Sequence, residues 1–174
     1  VLPGAYASRV AVTLDILEAA ARLAPRAKTP RPTWRVVSPD GRPIALSAGL
    51  RLEASALPTT SRADASTWIV PGLGTDNPAV IQERLAREDA RRAIAAIARH
   101  VGRGGTVAAS CSAVFVLQAA GLLAQRRATT SWWLAPELRR LEPGCVVDAD
   151  RMVCADGPVT TAGAALAQSD LMLH

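Results

Sequence analysis

The chain has 174 residues, of which 49% are hydrophobic and 20% are charged, so it is long and apolar enough to form one folded domain and is not a disordered segment. The formal charge of +5 comes from nineteen arginines and one lysine against fifteen acidic residues, spread along the sequence without the local basic cluster of a nucleic-acid-binding surface. No apolar run approaches the roughly 20 residues of a membrane-spanning helix, so we expect a cytoplasmic protein that does not bind membranes.

The cysteines and histidines give no sign of a metal site. Cys111, Cys145 and Cys154 are odd in number and lack the paired spacing of zinc ligands or of a disulfide framework. The two histidines, His100 and His174, stand far apart in the sequence, and we expect both at the protein surface. The sequence therefore predicts neither a bound metal nor a cofactor.

Hydrophobic periodicity and turn residues predict alternating strands and helices. Helices are expected at residues 11–23, 78–101, 112–123, 136–141 and 162–174. Strands are expected at residues 33–38, in two short pieces within residues 42–57, and at residues 67–70, 105–109, 146–147, 152–154 and 158–161. Pro25 is expected to close the first helix, and residues 148–151 to join their flanking strands as a hairpin. This order indicates an α/β protein of the flavodoxin-like type, a three-layer sandwich with helices on both faces of a mainly parallel sheet.

Both ends of the sequence suggest a larger protein. Val1 and Leu2 are too short for the strand that an open α/β sheet needs before its first helix, and residues 171–174 stop within a predicted helix without a capping residue. We therefore expect residues 1–174 to form a single domain cut from a longer chain.

Cys111 lies where a strand is predicted to turn sharply into a helix, as in a nucleophile elbow. Its neighbours Ala109, Ser110, Ser112 and Ala113 are all small, which permits the tight backbone of such a turn. An elbow holds its central residue at φ > 0 at the carboxyl edge of the sheet, where the helix N-terminus stabilises a thiolate. An inert, buried structural cysteine fits the same spacing, and the pattern alone leaves both interpretations open.

A second loop is predicted to reach the same edge of the sheet. Gly72, Leu73 and Gly74 follow the strand at residues 67–70, and their backbone N–H groups are candidate donors to an anionic group beside Cys111. Trp132 and Trp133 are expected in the core or in a pocket wall.

Several stretches of the sequence together resemble one protein family. The run ASCSAVFVLQAAGLLAQRRATTSWW, which contains Cys111, is similar to the pattern C-T-G-A-F-x-L-A-x-A-G-L-L-x-G-R-x-A-T-T-H-W of the ThiJ/PfpI superfamily. Further family segments are matched, in the same order along almost the whole chain, by VVSPDGRPIALSAGLRL, WIVPGLG and VDADRMVCADGPVTTAGAALAQSDLMLH. The resemblance implies the class I glutamine amidotransferase-like fold, in the branch that typically forms the N-terminal domain of AraC/XylS-type transcription regulators.

The sequence departs from the family pattern where catalysis would need it. Ser131 stands where the family usually has a histidine, and Arg9 lies in the stretch where competent relatives place an acid. Cys111 thus keeps the nucleophile position without its base and its acidic neighbour, and the usual Thr-Gly after it is Ser112-Ala113. We expect no catalysis and a pocket for a small anionic or carbonyl-bearing ligand, with Trp132 as its apolar wall. The expected ligand-binding residues are Gly72, Leu73, Gly74, Cys111, Ser112, Ser131, Trp132 and Arg9.

Three functions are compatible with this resemblance. The favoured one is the ligand-sensing and dimerising domain of an AraC-family regulator, a homodimer whose DNA-binding helix-turn-helix domain is expected C-terminal to residue 174. The alternative is a ThiJ/PfpI-type hydrolase or isonitrile hydratase-like enzyme that uses Cys111. The third is a redox or stress-responsive protein in which Cys111 is oxidised.

Overall fold

A computed structural model of the chain describes residues 1–58, 65–163 and 167–174. The helices are α1 Ala7–Ala27, α2 Pro78–Leu85, α3 Glu88–Val101, α4 Val114–Ala119, α5 Ala135–Leu141 and α6 Ala167–Leu173. The strands are β1 Val37–Ser38, β2 Ile44–Ala45, β3 Arg51–Leu52, β4 Ser55–Ala56, β5 Thr67–Val70, β6 Thr106–Ser110, β7 Arg127–Ala128, β8 Val146–Val147, β9 Val153–Asp156 and β10 Val159–Ala162. Within the described part of the chain, no helix is long and apolar enough to cross a membrane.

The largest sheet is four-stranded, in the order β5-β6-β10-β9. β6 pairs in parallel with both β5 and β10, and only β9, at one edge, runs antiparallel to its neighbour. Two smaller parallel pairs, β1 with β4 and β7 with β8, and one antiparallel pair, β2 with β3, accompany it. The predicted α/β architecture with a mainly parallel sheet is confirmed.

The central strand β6 divides the core into two layers. Val107 and Ala109 point into the larger cluster, where they pack with residues of α3 and α4 such as Ile97 and Phe115. Ala108, on the other side of the strand, packs with Leu171 of α6 in the smaller cluster. Because successive side chains of a strand point to opposite faces, this alternation places helices on both faces of the sheet. The three-layer arrangement is therefore confirmed as well.

Several predicted helices have different boundaries in the structure. The helices predicted over residues 112–123 and 162–174 are shorter, because residues 111–113 form a 3-10 turn before α4 and Ala162 belongs to β10. The prediction of one helix over residues 78–101 is wrong, because α2 ends at Leu85 and Arg87 is extended, which lets α3 begin anew at Glu88. Glu88 and Asp89 lie in the first turn of α3, where acidic side chains favour a helix start. α1 begins at Ala7 and continues past Pro25, since a proline in the last turn removes only one hydrogen bond.

Strand pairing differs from the sequence prediction in the second half of the chain. Residues 146–147 do not form a hairpin with residues 152–154, because β8 pairs in parallel with β7. The observed hairpin joins β9 to β10 through Gly157, whose φ of +59° suits a tight turn. The predicted strand at residues 33–38 shortens to β1, which pairs with β4.

His100 is a core residue, contrary to the expectation of a surface position. It is 7% exposed, and its ring stacks on Trp68 with 4.4 Å between the ring centroids. Its Nε2 atom lies 2.9 Å from the carbonyl oxygen of Ser66 and 3.2 Å from that of Thr106. These contacts place the imidazole at the start of β6 as a structural group.

An apolar cavity of about 660 Å³ lies between β1 and β5. Side chains of α1 cover it from one side and side chains of α3 from the other, and Trp34 and Trp68 line it. Among the described residues, β1 pairs only with β4 and β5 only with β6, so no strand joins them across the cavity.

Candidate functional site

Cys111 occupies a strained turn between β6 and α4. It follows Ser110, the last residue of β6, and begins a short 3-10 turn, Cys111–Ala113, that leads into α4. Its φ is +54°, in the left-handed region, which costs a residue with a side chain about 1–2 kcal/mol. The predicted nucleophile-elbow conformation is therefore present. The side chain is only 3% exposed, so a reagent reaches the sulfur only through local opening or a narrow approach.

Two side chains from the segment after β7 bond to Cys111. The hydroxyl of Ser131 donates to the sulfur of Cys111 at 3.0 Å, and the hydroxyl of Thr130 donates to its carbonyl oxygen at 2.9 Å. Ser131 thus lies against the thiol, as the family pattern implies for this position. A serine hydroxyl donates a hydrogen bond to sulfur but is not a proton acceptor of the strength of imidazole at neutral pH.

The glycine loop after β5 lies beside Cys111, but its donors are partly used within the protein. A Cβ atom added to Gly72 would lie 3.6 Å from the Cβ of Cys111, so the loop and the elbow are in contact. The N–H group of Leu73 donates to the hydroxyl oxygen of Ser112 at 3.0 Å. Leu73 and Ser112 were expected to offer separate donors to a ligand, whereas the structure bonds them to each other. This bond holds the loop against the elbow.

Tyr6 closes the site from the N-terminal side. Its N–H group donates to the carbonyl oxygen of Gly72 at 3.2 Å, and a Cβ atom at Gly72 would lie 3.6 Å from its ring. Burial raises the pKa of the Tyr6 phenol, the nearby Asp76 and Cys111 raise it further, and the positive charge of Arg9 lowers it. Tyr6 is therefore in electrostatic contact with the thiol and with two charged residues.

Arg9 approaches the site through Tyr6. The central carbon of its guanidinium group lies 5.3 Å from the centroid of the Tyr6 ring, within the range of a cation–π contact. One terminal nitrogen donates to the hydroxyl of Ser8, whereas its Nε atom is buried without a partner among the described residues. The expected cation thus stands beside Tyr6 at the first turn of α1.

The sequence analysis missed Tyr6 and Asp76. Tyr6 is the only tyrosine of the chain and directly precedes α1, which was the one available signal. Asp76 is exposed, two residues after Gly74, and its position at this edge depends on how the loop folds back toward α1. No local pattern marks Asp76, because the family resemblance places the acid near the start of the helix.

Trp132 is not a core residue, and its place in a pocket wall stays a prediction. It is 70% exposed, and it contacts the half-exposed Trp133 edge to face, with 5.5 Å between the ring centroids. The chain buries Ser131 and Leu134 instead, so the two rings between them turn outward. The expectation that the tryptophans lie in the core is wrong.

Neither histidine of the chain supplies a base to Cys111. His100 bonds at the start of β6, and Cys111 follows the end of that five-residue strand, roughly 17 Å away by the rise of an extended chain. His174 is exposed beyond the end of α6. Within residues 1–58, 65–163 and 167–174, no three His, Cys, Asp or Glu side chains cluster closely enough to hold a metal ion.

Comparisons with known proteins agree with this fold. A profile of the DJ-1/PfpI family matches residues 14–174. A Streptomyces lividans protein described as an uncharacterized protein in the cpoL 5' region is 36% identical over 109 residues, which are 62% of this chain and 70% of that protein.

Several crystal structures are similar over 99% of this chain, and two of them come from Pseudomonas species. One is a ThiJ/PfpI family protein from Pseudomonas syringae, with 22% identity, a TM-score of 0.75 and 64% of its own length covered. The other is an AraC family transcriptional regulator from Pseudomonas putida, with 18% identity, a TM-score of 0.75 and 85% of its length covered. At these identities the likeness shows the fold. The profile match, together with the elbow cysteine in its strained turn, places the chain in the DJ-1/PfpI family.

Proposed function

We propose that this domain senses a small ligand in an AraC-type transcription regulator and does not catalyse a reaction at Cys111. One observation carries the proposal: the side chain that contacts the sulfur is the hydroxyl of Ser131, at 3.0 Å. Nucleophilic catalysis needs a group that takes a proton from the thiol and returns it to a leaving group, which a serine hydroxyl does not do. The similarity to the Pseudomonas putida regulator supports the same assignment.

The arrangement favours a small anionic or carbonyl-bearing ligand. Arg9 contributes a positive charge and a buried Nε donor without a partner among the described residues, and Tyr6 contributes an aromatic face and a phenol. Gly72, next to Cys111, keeps the loop close to the sulfur. A ligand between Tyr6 and Cys111 would thus meet the donors of Arg9 and Tyr6 and replace water there.

In this proposal the ligand acts by shifting a dimer between two arrangements. A ligand that binds one arrangement better than the other populates it in proportion to the difference in affinity. The dimer would carry DNA-binding domains C-terminal to residue 174, and their spacing would follow the arrangement. Extending the reading frame beyond residue 174 tests this part, because two tandem helix-turn-helix units within about 100 residues, one further domain, are expected.

Two Cys111 variants test the absence of chemistry. A panel of small carboxylates and aldehydes is screened for binding, and the affinity of a hit is then measured by calorimetry. Cys111→Ser is expected to leave the affinity within roughly tenfold, about 1.4 kcal/mol, because binding uses fixed donors and not a covalent bond. Cys111→Trp is expected to abolish binding, because a large ring in this buried position fills the site. A much larger loss with Cys111→Ser would contradict the proposal, since the thiol itself would then react.

A thiol-dependent enzyme is the second candidate. The strained φ of +54° at Cys111 favours it, because elbows of this kind present nucleophiles. Turnover of amides, isonitriles or glyoxals by the purified protein, lost in Cys111→Ser, would establish this function in place of sensing.

A further inference from the structure

Gln168 uses both ends of its side-chain amide within the protein interior. It lies on α6 and is 1% exposed. Its Oε1 atom accepts a hydrogen bond from the hydroxyl of Ser110 at 2.5 Å, and its Nε2 group donates to the hydroxyl oxygen of Thr13 at 2.8 Å. The Thr13 hydroxyl in turn donates to the carbonyl oxygen of Arg9 at 2.7 Å. These four residues form one continuous chain of hydrogen bonds.

The two ends of this chain lie behind opposite walls of the site. Ser110 immediately precedes Cys111, so its side chain fixes the end of β6 from which the elbow turns. Thr13 stands one turn after Arg9 on α1, so its bond fixes the first turn of the helix that carries Arg9. Gln168 therefore connects the wall that holds the sulfur with the wall that holds the cation.

We propose that Gln168 is a positioning residue that sets the spacing between Cys111 and the first turn of α1, and that it couples α6 to that spacing. A shift of either wall stretches a buried hydrogen bond to Gln168, and a buried amide left without a partner is costly, so the walls and α6 move together. Such a coupling is reciprocal. A ligand or modification that displaces Cys111 loosens the packing of α6, and a contact that displaces α6 changes the spacing between Cys111 and the first turn of α1. The positioning role stands by itself, and only its use as a signal rests on the proposed sensing function.

The reactivity of the three cysteines tests the positioning role. Cys111, Cys145 and Cys154 are all free and buried, so alkylation of each by iodoacetamide, followed by mass spectrometry, reports how readily its surroundings open. Gln168→Leu keeps the approximate size of the side chain and removes both hydrogen bonds. We expect it to raise the alkylation rate of Cys111 about tenfold, by freeing the elbow, relative to its effect on the other two cysteines.

The comparison is made as a ratio of mutant to wild-type rates for each cysteine, which cancels their different intrinsic reactivities. Ser169→Ala, on the same helix outside the chain of hydrogen bonds, is the matched control and is expected to change none of the rates. If Gln168→Leu raises all three rates in proportion, the residue is merely structural, and if the Cys111 rate is unchanged, the positioning role is absent. Either result overturns the proposal.

Ser110→Ala provides a second route if Gln168→Leu does not fold. It removes the same bond from the other end, and we expect a similar selective increase in the Cys111 rate. Coupling to α6 is tested by amide hydrogen exchange in α6, measured before and after treatment with iodoacetamide. In the wild type, exchange in α6 should be faster after Cys111 is alkylated. In Ser110→Ala, exchange in α6 should be the same before and after alkylation. Unchanged exchange in α6 would remove the coupling. A protein that shows both effects but binds no small ligand would retain Gln168 as a positioning residue and lose the sensing function.

Discussion

Gly74→Ala tests the close approach between the glycine loop and the segment before α1. Gly74 has a φ of +77°, and a Cβ atom there would overlap the carbonyl oxygen of Gly4. An alanine in the left-handed region costs about 1–2 kcal/mol. Displacing a packed backbone carbonyl adds about 1–3 kcal/mol, the usual cost of overpacking. We therefore expect a loss of about 2–5 kcal/mol in the free energy of unfolding.

Gly121→Ala is the matched control. Gly121 has a similar φ of +70°, but nothing lies within 4 Å of an added Cβ atom. The alanine there therefore loses only the free energy that the left-handed backbone conformation costs. Urea unfolding of both variants, with the slope of the transition compared to confirm that the same surface is exposed, gives the two free energies. The difference between them measures the clash with Gly4 alone. Equal losses in the two variants would show that the loop and the segment before α1 do not touch, and Tyr6 would then lose its place over Gly72.

Two further predictions concern buried polar groups. Ser112→Ala removes the acceptor of the Leu73 N–H group and should lower the free energy of unfolding, measured by urea unfolding, by about 1–3 kcal/mol. Ser112→Thr keeps a hydroxyl and should lose less stability. Equal losses in the two variants would mean that the hydrogen bond contributes nothing. Burial, with a smaller contribution from the charge of Glu142, raises the pKa of the Cys145 thiol from 9.0 to about 11. The native state then keeps a proton that the unfolded chain has lost, so stability is unaffected below pH 9 and falls by up to about 3 kcal/mol between pH 9 and pH 11. Cys145→Ala should flatten that part of the pH profile in urea unfolding, and an unchanged slope would show that another group causes it.

Local sequence patterns predicted those features of the site that depend on neighbouring residues. The small residues around Cys111 and the strand before it were enough to predict a turn with φ > 0, and the structure has this turn. The family pattern was enough to place Ser131 near the thiol. The first inference concerns backbone geometry that a short run of residues determines, whereas the second came from the family resemblance, because Ser131 lies 20 positions from Cys111.

Features that depend on distant partners could not be read from the sequence. β8 pairs with β7 and not with the strand that follows it, because the pairing is decided by packing across the sheet. Trp132 has a large apolar side chain and would be expected in the core, yet it is exposed and Leu134, two residues later, is buried. The hydrogen bond between Gln168 and Thr13 spans 155 positions in the sequence, and no local sequence pattern predicts it.

The cavity between β1 and β5 has a practical consequence for finding the ligand. Its walls are mostly apolar and include Trp34 and Trp68, so environment-sensitive hydrophobic dyes have a binding place in the folded protein. Thermal-shift screens that detect unfolding by such a dye would therefore start from high fluorescence, and a compound that displaces the dye would imitate a ligand of the Cys111 site. Trp34 and Trp68 border the cavity, whereas Trp132 and Trp133 directly follow Ser131, which contacts the thiol. Tryptophan emission therefore mixes signals from the two places, and calorimetry is the appropriate readout for binding at Cys111.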